Sequence, residues 1–342
     1  NGRYGIYAKA YQGTTQIQAN LTGNEVFQNM DSGVYLEADG SSGNPEIHAN
    51  LLNNQVHENP KYGIYIHTKY GASSVVEVRD NQLYSTINGD GLYIHNYSAA
   101  NTSAYTITGN EIYSNRNAGL RYYNQYTDVS PVITNNTLHD NSDFGLHLDQ
   151  TGSSASLVPT LSGNTIHHNG TGIFINATAA TTIDNSELYT NSADIRNQSS
   201  SAVNAQGNWW GVDTTNLLNT GSHPRNLSNL YDTFDDGNLG TVDYSAWLTN
   251  YATPSAPTLV PVSSPVATAT QTLTGGKEAN SGIMLNGIEV VAVDAQTTWS
   301  AEITLQEGPN PLSLSAFNAE GLLSETITAQ IVRDTQAPSL IS

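Results

Sequence analysis

Two residue types recur along this chain with one loose period, and that recurrence limits what it can fold into. Glycines opening short alternating stretches fall at Gly5, Gly33, Gly63, Gly91, Gly119, Gly145 and Gly172, at intervals of 28, 30, 28, 28, 26 and 27. Asparagines opening an N-x-aliphatic unit fall at Asn24, Asn54, Asn81, Asn110, Asn136 and Asn164, at intervals of 30, 27, 29, 26 and 28. Ser186 continues the second series. A fixed period of this length marks a stacked repeat architecture. Short strands without intervening helices can repeat so only by winding into coils, stacked in parallel at about 4.7–4.9 Å.

Alternation decides what faces inward. In each Gly-led stretch the aliphatics sit at the second and fourth positions, as in Val34/Leu36, Ile64/Ile66, Leu92/Ile94 and Ile173/Ile175. Period two sends them to one face, the coil interior. Each buried aliphatic contributes roughly 1.5–3 kcal/mol, and neighbouring coils suffice to bury them. The asparagines, with a second series at Asn29, Asn59, Asn115, Asn141, Asn169 and Asn191, suit coil corners. Asn tolerates the left-handed conformation of tight turns, and its amide can bond the equivalent amide one coil away. Ligand binding is the other reading of these columns.

The stretch "GNEIYSNRNAGLRYY" (109–123) closely resembles the right-handed parallel β-helix repeat of pectate-lyase-like proteins. The resemblance spans about residues 1–250. It implies an all-β fold but not an activity, because lyases, hydrolases, epimerases, tailspikes and adhesins share the scaffold. Coil spacing is expected to stop near residue 198. "GNWWGVDTTN" (207–216) and "DYSAWL" (243–248) resemble the terminal cap (about 199–250) of bacterial surface β-helix proteins. Trp209 and Trp210 are expected to close the core, with a sugar platform as the alternative. No cofactor is expected, with Ca²⁺ as the one alternative. Asp232, Asp235, Asp236 and Asn238 offer oxygen ligands for it, though not at EF-hand spacing, and otherwise form an ordinary acidic turn.

Residues 251–257 read as a Pro/Ser/Thr-rich linker. Residues 258–335 hold short alternating strands separated by turn signals, the pattern of an antiparallel sandwich. "GKEANSGIMLNGIEV" and "LSLSAFNAEGLLS" resemble a bacterial Ig-like module of the glucodextranase B-like kind. That resemblance implies a spacer in a multidomain surface protein, occasionally glycan-binding. Trp299 reads as core. Residues 336–342 read as the seam to a further domain, and the chain as a segment of something larger. The expected fold class is therefore all-β: a right-handed parallel β-helix followed by an Ig-like β-sandwich.

Period two also sends residues outward. The Gly-led strands give the columns Tyr7, Tyr35, Tyr65, Tyr93, Arg121, His147, Phe174 and Lys9, Glu37, His67, His95, Tyr123, Asp149, Asn176. The other strand gives Phe27, His57, Tyr84, Tyr113, His139, His167, Tyr189, all aromatic or His. Three readings stand. Identical rings one coil apart can simply stack. A row of ring faces, with Tyr35, Tyr65, Tyr93, Arg121 and His147 foremost, can bind a polysaccharide or cell-surface glycan. Or the face can be a lyase or C5-epimerase site, where Arg121 clamps a uronate carboxylate, His147 or Tyr123 moves the proton, and Asp149 or His95 orients it. Hydrolysis is disfavoured, because Glu37 and Asp149 are the only carboxylates in these columns and lie four coils apart. The coils are too compact to supply long cleft-forming loops.

Eleven basic and thirty acidic residues leave a net charge of −19. That disfavours nucleic acid and anionic membranes, and polyuronates unless Ca²⁺ bridges them. No apolar run reaches the ~20 residues needed to span a bilayer. There is no cysteine. An Asn/Thr/Ser/Gly-rich, acidic, Cys-free composition fits an extracellular or cell-surface bacterial protein of structural or adhesive role, partnered by glycan or by further domains of the same chain.

Overall fold

The computed structural model describes residues 3–97, 103–152, 155–249, 253–318 and 323–335. The chain divides into two compact units, Asn1–Asn250 and Tyr251–Ser342. Of the expected linker (251–257), residues 253–257 are described. The expected seam (336–342) lies outside the described residues.

The first unit is a parallel β-helix. Each coil contributes one strand to each of three parallel sheets, as Leu92–Tyr97, Ala104–Thr108 and Glu111–Tyr113 do. Among the described residues the first and second sheets run through nine strands each and the third through seven. Registers hold residue for residue: Tyr93 lies between Tyr65 and Arg121, and His95 between His67 and Tyr123. The inward aliphatics named above form one continuous core, with Leu92, Ile94, Ile112 and Leu120 fully enclosed.

Both asparagine columns are hydrogen-bonded ladders. The Asn81 backbone N–H and side-chain Nδ2 donate to Asn110 Oδ1 at 3.0 and 2.9 Å. Asn81 Nδ2 also reaches back to Leu51 O at 2.8 Å. Thr86 fills the gap in the second column, donating through N and Oγ1 to Asn115 Oδ1 at 3.1 and 2.9 Å. One expectation needs correction. The left-handed residue is not the ladder Asn but the one before it, as at Asn53, Asp80, Gly109 and Asn135, with φ of 55°, 56°, 68° and 55°. The ladder Asn must aim its amide along the coil axis, so the sharp turn falls one residue earlier.

The coils also continue past residue 198. Strands Val203–Asn204, Leu230–Tyr231 and Val242–Asp243 extend the first two sheets. The first ladder runs through Ser186 to Asn208. Irregular spacing hides this last coil, because a helix, α1 (Gly211–Leu218), interrupts it. The two tryptophans also part company. Trp210 is buried in the core, whereas Trp209 extends the third sheet as an eighth rung, bridging to Glu187.

The second ladder ends on a carboxylate. Asp194 occupies the register of the strand-leading glycines, between Ala193 and Ile195, which pair with Thr171 and Ile173. Asn191 Nδ2 donates to Asp194 Oδ1 at 2.9 Å, and Asn229 Nδ2 to Oδ2 at 2.5 Å. Burial pushes its carboxyl up from 3.8 to about 6 against these hydrogen bonds. A carboxyl raised on folding binds protons that the unfolded chain releases, so its contribution favours the fold at low pH and is lost as pH rises through about 6. Stability contributed by this carboxyl is expected to fall between about pH 4 and about pH 6. Asp194→Asn, which cannot ionise but sets its Nδ2 against one of the two amide donors, is expected to flatten that part of the profile, measured as the difference between urea unfolding curves of variant and parent across pH.

The second unit is antiparallel and consistent with a β-sandwich. A four-stranded sheet orders Ile288–Asp294, Ser281–Leu285, Gly308–Asn318 and Ile327–Arg333, and Thr270–Gly276 pairs with Thr298–Thr304. Leu273, Ile283, Trp299 and Leu314 form its core. The Trp299 indole N–H donates to Thr258 O at 3.0 Å.

Candidate functional site

The first-sheet tyrosines form a continuous stack. Ring centroids lie 5.3 Å apart for Tyr7 and Tyr35, 4.7 Å for Tyr35 and Tyr65, and 5.0 Å for Tyr65 and Tyr93. The last two pairs are nearly parallel, at 14° and 8°. Tyr62 packs across Tyr65 and Tyr93 at 5.0 and 5.1 Å. Burial raises the Tyr35, Tyr65 and Tyr93 hydroxyls above the ordinary phenol range. The expectation of flat faces lying open to sugar is therefore corrected. Coil spacing matches ring-stacking distance, so each ring covers the face of the next and the row shows mainly edges.

The adjacent column is equally self-contained. Glu37 is 5% exposed and pairs with Lys69 at 2.7 Å and Lys9 at 3.2 Å. Burial pushes its carboxyl up, but Lys69 and Lys9 outweigh this and the net shift is downward. His67 and His95 stack at 4.6 Å, and burial lowers both imidazoles to about 4.

The register does bring the catalytic candidates together. Arg121 lies beside His147, and Tyr123 lies between His95 and Asp149. Their partners point elsewhere. Arg121 sits over the Tyr93 ring at 5.8 Å, with its nearest carboxylate, buried Asp90, at 3.9 Å. His147 is wedged between Phe144 and Phe174, at 4.6 and 4.7 Å, and is 6% exposed. Burial, helped by Arg121, lowers its imidazole to about 3. Tyr123 OH bonds Thr151 Oγ1 at 2.9 Å, and Asp149 accepts from Asn176 at 2.8 Å.

The third-sheet column is a longer stack. Centroid spacings from Phe27 through His57, Tyr84, Tyr113, His139 and His167 to Tyr189 are 5.1, 4.7, 4.9, 5.0, 5.0 and 4.9 Å, with no tilt above 15°. Trp209 follows Tyr189 at 5.3 Å, tilted 57°.

The acidic-turn residues are engaged with their own backbone. Asp232 accepts from the Phe234 and Val242 amides at 2.9 and 2.8 Å, Asp235 from the Asp232 amide at 3.1 Å, and Asp236 from the Asn238 amide at 3.0 Å. Among the described residues no group of three or more His, Cys, Asp or Glu is arranged to hold a metal ion.

Sequence reasoning missed a cleft of about 470 Å³ where the third-sheet stack meets α1. Tyr189, Trp209, Asp194, Asp213 and Asn229 are among its walls. The available signal was Asp194, the one charged residue in the register of the strand-leading glycines.

A family model described as a right handed beta helix region matches residues 98–210. Together with the nine-stranded parallel sheets, this makes the solenoid a right-handed parallel β-helix. A search of curated proteins finds no match.

Proposed function

We propose that this chain is a segment of a large extracellular or cell-surface bacterial protein, in which the β-helix serves as a rigid structural or adhesive element. Its contact with glycan is made through ring edges and hydroxyls along the solenoid sides. The antiparallel unit, on its resemblance to bacterial Ig-like modules, acts as a spacer. No cofactor enters this reading. The observation that carries it is the state of the first-sheet face: its rings stack on one another, and its ionisable groups are buried or paired within the protein.

A lyase or epimerase on acidic glycan is the second reading, favoured by the register of Arg121 with His147. It asks for a proton acceptor poised near working pH, whereas burial holds His147 near 3. The test is incubation of the purified segment with polygalacturonate and alginate, with and without Ca²⁺, followed by ultraviolet absorbance of unsaturated product. The scaffold reading expects no product. Product formation abolished by His147→Ala would overturn it.

A further inference from the structure

The corner where the first sheet ends carries a row of tyrosines that lies outside all three outward columns. Tyr70 follows the strand Ile64–Lys69, Tyr97 ends Leu92–Tyr97, and Tyr126 follows Ala118–Gln125. These strands are neighbours, so the row has one ring per coil. Ring centroids lie 5.3 Å apart for Tyr70 and Tyr97 and 5.9 Å for Tyr97 and Tyr126. Unlike the stacked columns, these rings cross at 84° and 82°. In a perpendicular pair the edge of one ring meets the face of the other, so only one of the two gives up a face. Tyr70 and Tyr126 are 49% and 52% exposed.

The row is also uncharged and its hydroxyls are free. Lys69 Nζ lies 5.8 Å from the Tyr70 ring, but Glu37 and Asp39 hold it at 2.7 and 3.3 Å. Asp128, two residues beyond Tyr126, accepts from Ser156 N and Oγ at 2.8 Å each. The Tyr35 and Tyr123 hydroxyls are bonded to Glu37 and Thr151, whereas no hydrogen bond ties the three corner hydroxyls to another described residue. Tyrosine is moreover a costly choice here. Tyr70 and Tyr126 have φ of 56° and 65°, the left-handed region that Gly or Asn enters cheaply and bulky side chains do not. Residues kept in that region against such a cost cluster at ligand clamps and other functional sites.

We infer that this corner binds a neutral polysaccharide, with sugar rings against the exposed faces of Tyr70 and Tyr126 and sugar hydroxyls bonded to the phenol groups. The inference rests on the reading of the solenoid as glycan-contacting and gives that contact a place. An occupant that uses both parts of a phenol must be apolar on its face and polar at its rim, as a sugar ring is. Rings repeated once per coil engage a chain of such units better than a single one. An acidic glycan would meet a chain of net charge −19 with no uncommitted cation in the row.

The test is affinity electrophoresis of the intact chain in gels containing laminarin, arabinoxylan or galactomannan, with polygalacturonate and poly-L-proline as contrasting probes, since aromatic rows also dock proline-rich segments. Retardation by at least one neutral polysaccharide, and by neither contrasting probe, is expected. Tyr70→Asn and Tyr126→Asn should each weaken it at least about tenfold. Their thermal unfolding should stay as high or move up, because Asn suits the left-handed turn, so the loss cannot come from unfolding. Neutral-glycan binding indifferent to both variants would overturn the corner site and leave glycan contact elsewhere on the solenoid standing. No retardation by any of the three neutral polysaccharides would overturn both. Retardation by polygalacturonate or poly-L-proline instead, lost in the same variants, would overturn the neutral-glycan assignment.

Discussion

Asn110→Ala is expected to lower the unfolding free energy of the β-helix by about 4 kcal/mol, because buried groups on two neighbouring coils lose partners at once. Asn110 is 1% exposed. Its Oδ1 accepts the backbone N–H and Nδ2 of Asn81 at 3.0 and 2.9 Å, and its own Nδ2 donates to Val78 O at 2.8 Å and Asn136 Oδ1 at 2.9 Å. Alanine abolishes all of these and the Nδ2 bond to Thr108 O at 3.1 Å, and leaves the buried Asn81 backbone N–H with no acceptor. Each orphaned buried group costs about 1–3 kcal/mol, whereas a satisfied hydrogen bond contributes only about 1. Urea unfolding gives the magnitude. Native-state hydrogen exchange gives the place: protection should fall first at the Asn81 amide and the adjoining coil, since repeat stability is a sum of neighbour terms. The second column provides an internal control. Thr86 already replaces an asparagine there and keeps the donor side of the rung, to Asn115 Oδ1. Asn115→Thr keeps a donor for Asn141 but loses the acceptor of the Thr86 N–H and the bond to Leu83 O, so it should cost about 2 kcal/mol, less than Asn110→Ala. A loss below about 1 kcal/mol for Asn110→Ala would mean that the ladder follows from coil stacking and contributes little to it.

The repeat was legible because the physics behind it is strictly periodic. Every coil needs an inward Leu, Ile or Val, an amide for its corner and a small residue at its strand start, so Leu92, Asn110 and Gly91 each stand in a visible column. Illegible features arise where one coil departs from its neighbours. Asn208 and Asp213 keep the five-residue offset of Asn164 and Asn169, which would extend both ladders. Only Asn208 does so. After it the chain turns through Gly211, at φ 74°, into α1. The third sheet ends at the Trp209 bridge, and Asp194 takes the place of the next residue of the second ladder. The choice among the three readings of the outward columns needed the structure for a different reason. Alternation correctly placed Tyr35, Tyr65 and Tyr93 outward, but outward did not mean open. At 4.7–5.0 Å between rings, each tyrosine consumes the face of the next, and the loop tyrosine Tyr62 covers more. That outcome follows from the rung spacing itself, and it is the stacking reading that the columns of like rings already offered beside the glycan and enzyme readings.

Gly91→Val is expected to have the largest effect, about 5 kcal/mol, combining overpacking with damage to the ladder. The glycine is not required by backbone conformation, since its φ is not positive. It is required by space. A Cβ at Gly91 would lie 2.6 Å from Ile112 Cγ2, 2.7 Å from Asn115 Nδ2 and 2.9 Å from Gly119 O. Two of these atoms cannot yield cheaply. Gly119 O accepts no relief from a rotamer, and Asn115 Nδ2 is fixed by its bonds to Leu83 O and Asn141 Oδ1 at 3.1 and 3.0 Å. Relief must come from spreading the coils, which weakens first-sheet hydrogen bonds on both sides of the rung. Gly91→Ala should cost about 3 kcal/mol by the same clash without the branched methyls. Asp194 shows the rule from the other direction: no ladder residue of a further coil follows it, and there a full side chain is accommodated, whereas at Gly63, which Thr86 follows, a Cβ would still lie 2.5 Å from Gly91 O. At Gly5, Gly33, Gly91, Gly119, Gly145 and Gly172 the glycine and the ladder asparagine are thus two halves of one contact, the amide nitrogen pressing on the space a Cβ would fill. Thermal and urea unfolding of the two Gly91 variants measure the cost. A drop under about 1 kcal/mol for valine would show that the coils dilate freely and that the shared period has another origin.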